Sequence, residues 1–137
     1  MSLNNLSSKI SIRIYYEDTD AGGIVYHSKY LNFAERARAE FLRNLSIEQT
    51  YIKEKYQVQF VVKNLKINYI YSCRLDDQIN LVTDLESINR AKLALDIYFI
   101  KRKKKFQKFK LQYVVYQAQE KLLECQNPYI INSLIRV

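Results

Sequence analysis

The chain has 137 residues, of which 48% are apolar and 13% aromatic, with a formal net charge of +8. This composition excludes an intrinsically disordered chain and supplies one hydrophobic core, so a single domain over residues 1–137 is expected. Residues 101–110, KRKKKFQKFK, carry seven cations and no acid, whereas the remainder holds 15 basic and 14 acidic residues. The excess is therefore a local patch, which argues against a generally basic nucleic-acid-binding protein.

The opening MSLNNLSSKISIRIYY has no apolar stretch followed by a small-residue cleavage site, so the sequence predicts no leader and a cytoplasmic protein. The longest uncharged run, residues 125–135, is broken by Asn, Gln and Pro and is too short to span a bilayer. Cys73 and Cys125 do not form a CxxC, and with one histidine they do not make a zinc site of usual spacing; reduced thiols are expected.

In chain order, KISIRIYY alternates Ile10, Ile12, Ile14 and Tyr16, which predicts a half-buried strand running up to an acidic cluster. Both glycines of the chain, Gly22 and Gly23, follow that cluster, and the only histidine, His27, lies just beyond. From Ser28 to Leu45 the period becomes helical, with Leu31, Ala34, Arg38, Phe41, Leu42 and Leu45 on one stripe. The Ser-x-x-Gln of Ser46 to Gln49 has the form of a capping box and predicts the start of a second, shorter helix.

The period then drops to two. Residues 59–72 place Leu65, Ile67, Tyr69 and Tyr71 on one face of a strand, and residues 76–88 form the next. Leu93, Leu95, Ile97 and Phe99 alternate in a third, and Phe109, Leu111, Tyr113 and Val115 in a fourth. Short joins predict four hairpin-linked antiparallel strands, the lysine run forming one turn. The expected fold class is α+β: an antiparallel sheet of about five strands with one long helix on one face. The open edges of such a sheet favour pairing into a dimer.

The acidic and glycine corner carries the chemistry. A helix opening after the glycines has unpartnered N–H groups and the positive end of its dipole, which polarise a carbonyl and stabilise its oxyanion. Asp20 stands nearest the turn and can act as nucleophile or as general base toward water. His27 can orient substrate or move a proton. Glu17 and Asp18 read as solvated loop carboxylates, and Glu35 with Arg38, three residues apart, as a structural ion pair. Two glycines make neither a phosphate loop nor a dinucleotide fingerprint, and no nucleophile elbow is present. The residues thus point to a carboxylate site with no metal and no cofactor.

The stretch YYEDTDAGGIVYHSKYLNFAERARAEFL, residues 15–42, resembles the signature of the YbgC-like acyl-CoA thioesterases, relatives of 4-hydroxybenzoyl-CoA thioesterase. The resemblance implies a hotdog fold, in which the sheet wraps around the long helix. It implies hydrolysis of acyl-CoA to free acid and CoA, with coenzyme A a part of the substrate and not a cofactor. Asp20 matches the catalytic aspartate, Tyr16 the tyrosine before it and His27 the motif histidine. The backbone N–H near His27 matches the group that polarises the thioester carbonyl, with Gly22 and Gly23 forming the turn beside it. Homodimers with joined sheets, often paired into homotetramers, are also implied.

Arg90 is a candidate contact for CoA phosphates. The lysine run reads as a solvated turn, with CoA phosphates, an acyl carrier protein or an anionic membrane surface as its functional alternatives. The rival activities are an acyl-carrier-protein thioesterase or dehydratase of the same fold, and a nucleic-acid binder using the lysine run.

Overall fold

The computed structural model describes residues 6–89 and 92–117. Strand β1 (Ser7–Arg13) leads through a 3-10 turn (Tyr16–Asp18) to helix α1 (Lys29–Asn44) and helix α2 (Gln49–Tyr56). Strands β2 (Val58–Asn68), β3 (Gln78–Asn89), β4 (Lys92–Lys101) and β5 (Lys104–Gln117) follow. They form a five-stranded antiparallel sheet in the order β1-β3-β4-β5-β2.

The apolar stripe of α1 explains where the core sits. Tyr30, Phe33, Ala34, Ala37, Phe41 and Leu42 are buried along it, and the helix packs on β1 and β3. The sheet answers with Ile79 and Leu81 from β3 and with Leu93, Leu95, Ile97 and Phe99, the alternating positions of β4. Each such fully buried large side chain contributes about 1.5–3 kcal/mol. Arg38, on the same stripe, is also buried and meets Glu35 at 2.6 Å and Gln49 Oε1 at 3.2 Å, so it ties α1 to the start of α2.

Several boundaries differ from the sequence reading. β1 stops at Arg13, and Tyr16 sits in the 3-10 turn instead of ending the strand. The cause is Asp18: its carboxylate accepts a bond from the Tyr15 N–H at 2.9 Å, and its own N–H donates to the Tyr15 carbonyl at 3.0 Å. Such local bonds compete with a strand ladder. Asp18 is only 4% exposed, so it is a buried structural carboxylate and not a solvated one.

Ser46 does not cap α2, whose N-cap is Glu48. Instead it ends α1 with a left-handed φ of 60°. The Ser46 N–H donates to the Arg43 carbonyl and the Ile47 N–H to the Leu42 carbonyl, both at 2.9 Å, which is a Schellman closure.

The predicted strand over residues 59–72 ends at Asn68. Beyond it the chain turns across the start of α1: the Tyr69 hydroxyl donates to the His27 carbonyl at 3.1 Å, and the Cys73 N–H donates to the Tyr30 hydroxyl at 2.9 Å. Residues 69–77 then cross to β3, so among the described strands only β3, β4 and β5 are hairpin-linked, and β2 lies beside β5 at the opposite edge. The lysine run does turn, at Arg102 and Lys103, but β5 already begins at Lys104.

Candidate active site

The corner is built by Asp20 acting on its own backbone. Its N–H donates to the Ile24 carbonyl at 2.8 Å, and its carbonyl accepts from the Gly23 N–H at 3.0 Å. Its carboxylate oxygen Oδ1 accepts from the Gly22 N–H at 2.8 Å and, more weakly, from the Ile24 N–H at 3.4 Å. An aspartate that bonds its own backbone two residues on is a turn former. Here that bond also fixes the direction of the carboxylate.

The two glycines serve different needs. Gly23 has a φ of +78°, the left-handed region that L side chains avoid. A Cβ on Gly22 would stand 3.1 Å from Asp20 Oδ1, so this position leaves room for the carboxylate. The loop is closed behind them by the Thr19–Val25 bridge and by the Tyr26 N–H donating to the Asp18 carbonyl at 3.0 Å. Buried Asp18 thus holds the frame in which Asp20 is displayed.

Helix α1 opens immediately afterwards. Ser28 is its N-cap, its side chain makes no capping bond, and the first turn contains no acidic residue. The positive end of the helix is thus uncompensated within its own first turn. The Lys29 N–H closes back on the Tyr26 carbonyl at 2.9 Å, whereas among the described residues the His27 and Ser28 N–H groups meet no main-chain acceptor. The His27 ring is exposed and lies 4.3 Å from the Tyr26 ring, centroid to centroid.

Asp20 and His27 border one groove of about 240 Å³, walled by Val25, Tyr26, Tyr30, Tyr69 and Tyr71. Tyr30 is 2% exposed and makes edge contacts to Tyr69 and Phe99. Burial pushes the Tyr69 phenol up from its ordinary value, so it serves as a neutral donor to the His27 carbonyl. Behind the wall, burial raises the Cys73 thiol, which is free and packed in the core.

The other expected residues fall elsewhere. Tyr16 is 81% exposed and does not line the groove. Gly22 and Gly23 shape the turn without touching the cavity. Arg90 and Cys125 lie outside the described residues. Among the described residues no three His, Cys, Asp or Glu side chains converge, and no helix is long and apolar enough to cross a membrane.

The sequence alone does not single out the tyrosine wall. Tyr30 was findable, since it stands three and four positions before Phe33 and Ala34 on the buried stripe. Tyr69 and Tyr71 were not, because their alternation continues that of β2 and only the crossing over α1 takes them out of the sheet.

A carboxylate held by a turn and free amides at a helix start, on residues that line one cleft, are parts suited to attack on an acyl carbon. The sequence profile of the thioesterase-like superfamily matches residues 15–126. An acyl-CoA thioesterase YbgC of Haemophilus influenzae is 46% identical over 85 residues, which cover 62% of this chain and 62% of that relative's length. An acyl-CoA thioester hydrolase YbgC of Escherichia coli is 40% identical over 92 residues, 67% of this chain and 68% of that one. The crystal structure of a probable thioesterase from Bartonella henselae superposes with a TM-score of 0.80 at 25% identity, over 87% of this chain and 98% of that one. The shared architecture is the hotdog, the α+β sheet and helix anticipated from the sequence. On its profile match and these relatives, the chain belongs to the thioesterase-like superfamily.

Proposed function

We propose that this protein is an acyl-CoA thioester hydrolase that uses Asp20 as its reactive carboxylate. One observation carries the reading: Asp20 and His27, the residue that leads into α1, line the same groove. The similarity to relatives named for acyl-CoA thioester hydrolysis supports the substrate class. In this reading the thioester carbonyl oxygen rests on the free N–H of His27, where the helix dipole favours developing negative charge. The Asp20 carboxylate then attacks the carbonyl carbon or takes a proton from the attacking water. Water is consumed, the C–S bond breaks, and CoA departs as thiolate. The His27 ring positions the substrate. Tyr16, exposed and outside the groove, takes no part in bond breaking within its own chain.

The protein acts without a metal or a separate cofactor in this reading, in the cytoplasm, as a homodimer or as two dimers paired into a homotetramer. Nucleic acid is not a partner.

The test is thiol release from acyl-CoAs of short, long and aromatic acyl groups by wild type and Asp20→Asn. Asn keeps an oxygen for the Gly22 N–H, so the turn and the melting temperature are retained. Turnover is expected to fall about 10²- to 10⁴-fold, the range for removing a general acid–base group. Wild-type rates in Asp20→Asn, or formation of enoyl product without thiol, would overturn the proposal.

A further inference from the structure

A second groove, of about 520 Å³, opens beside the first and shares Tyr71 and Ser72 with it. Beyond Cys73, its other walls are cationic: Lys101, Arg102, Lys104 and Lys105. Its volume falls within the roughly 300–1,000 Å³ typical of small-molecule sites, and it is concave where a flat membrane surface would need a convex or planar face.

The hairpin that presents these charges is held in place. The Lys101 ammonium bonds Asp77 at 2.6 Å, and the Lys105 ammonium sits 4.2 Å from the Tyr98 ring centroid. The side chains of Arg102 and Lys104, by contrast, make no hydrogen bond or ion pair among the described residues, although the Arg102 charge is near enough to Asp77 to be felt there. Arg102 and Lys103 both adopt left-handed backbone, with φ of 50° and 65°. Two-residue hairpin turns with that geometry strongly favour Asn-Gly or Gly-Gly. Long cations stand here instead, at conformations in which they are strained. The turn therefore carries charge where a neutral residue would fold more easily.

From these observations we infer that the β4–β5 hairpin holds the phosphates of the substrate's nucleotide end, Arg102 and Lys104 being the binding cations. A CoA thioester has a reactive carbonyl at one end and a polyanionic nucleotide at the other, joined by a flexible arm. Two contiguous grooves, one with a carboxylate and free amides and the other ringed by cations, match that division. Screening confines the attraction to within about 8 Å, so the phosphates must enter this groove to profit from it. The inference takes its substrate from the proposed hydrolysis, but it can be tested without turnover.

The probe is adenosine 3′,5′-bisphosphate, titrated calorimetrically into full-length wild type, Asp20→Asn, Arg102→Ser/Lys104→Ser and Lys103→Ser. Wild type and Asp20→Asn are expected to bind it alike. The double variant should weaken binding about tenfold or more, as charge-assisted phosphate bonds are lost. Lys103→Ser, which removes a neighbouring charge outside the groove lining, should weaken it less than about threefold. The wild-type preference for an acyl-CoA over the acyl-pantetheine of the same chain should shrink by the double variant's factor. Arg102→Lys/Lys104→Arg, which keeps both charges, should restore binding and guards against misfolding.

Bisphosphate binding that is absent in wild type, or indifferent to the double substitution, would overturn the assignment. So would loss of binding to acyl carrier protein or to phosphatidylglycerol vesicles in the double variant while bisphosphate binding is retained. If thiol release fails but the bisphosphate binds as described, the hydrolase reading falls and this one stands.

Discussion

Asp20, Gly22 and Gly23 show how much chemistry one turn can carry. Their proximity was legible in the sequence, because both glycines and the histidine crowd into a few positions after three acids. Their separate roles required coordinates. A Cβ at Gly22 meets Asp20 Oδ1, whereas a Cβ at Gly23 meets nothing within 4 Å, and the difficulty at Gly23 is its φ of +78° alone. The two alanine substitutions should therefore part company. Gly23→Ala is expected to lower stability by about 1–2 kcal/mol, seen as an earlier denaturation midpoint, with hydrolysis retained at low temperature. Gly22→Ala is expected to move the midpoint little and to cut turnover about ten- to a hundredfold by displacing the carboxylate. Equal effects of the two on both readouts would refute this division. Asp18 belongs to the same scale: an acid in a polar loop looks solvated until the chain folds back over it, and here it is buried.

At the scale of elements, the helical stripe and the alternation of β4 were read directly, since each repeats over enough residues to define a face. Their ends were not, because ends depend on single bonds to distant partners. Ser46 resembled a cap and is a helix stop; Tyr69 resembled a strand residue and leans over α1.

The Asp77–Lys101 bond is another such end, pinning the start of β5's hairpin to the turn before β3. Burial pushes the Asp77 carboxyl up, but the Lys101 ammonium, the Arg74 N–H and the nearby Arg102 outweigh it and hold the group below the ordinary carboxylate value. A carboxyl lowered in the folded state stabilises above its ordinary pKa of about 4, and that contribution fades as pH falls through the folded value. Asp77→Asn should therefore be less stable than wild type at pH 7 in urea denaturation, and the gap should close below about pH 3. A gap of equal size at both pH values would show that charge is not its source.

Across the whole molecule, the order β1-β3-β4-β5-β2 leaves β2, among the described residues, with a neighbour on one side only. Val61 and Val62 are exposed along it. A long edge strand with exposed apolar residues invites pairing, and lysine on such an edge opposes it. The proposed dimer predicts a light-scattering mass of two or four 16.4 kDa chains, and a shift toward one chain for Val61→Lys/Val62→Lys. A wild-type monomer at micromolar concentration would exclude it.

What the sequence determined by itself was local: which segments are helical or extended, which face each buries, and that a carboxylate, a flexible turn and a helix start adjoin. Those properties follow from periodicity and from residues close in the chain. The tertiary structure alone decided that β2 joins β5 and not β3, that Asp18 is buried, and that tyrosines from residues 69–71 wall the Asp20 groove beside a cationic one. Each of these is a choice of partner across many residues, and the free energy that settles it comes from burying whole faces together. No window of neighbouring residues contains that information.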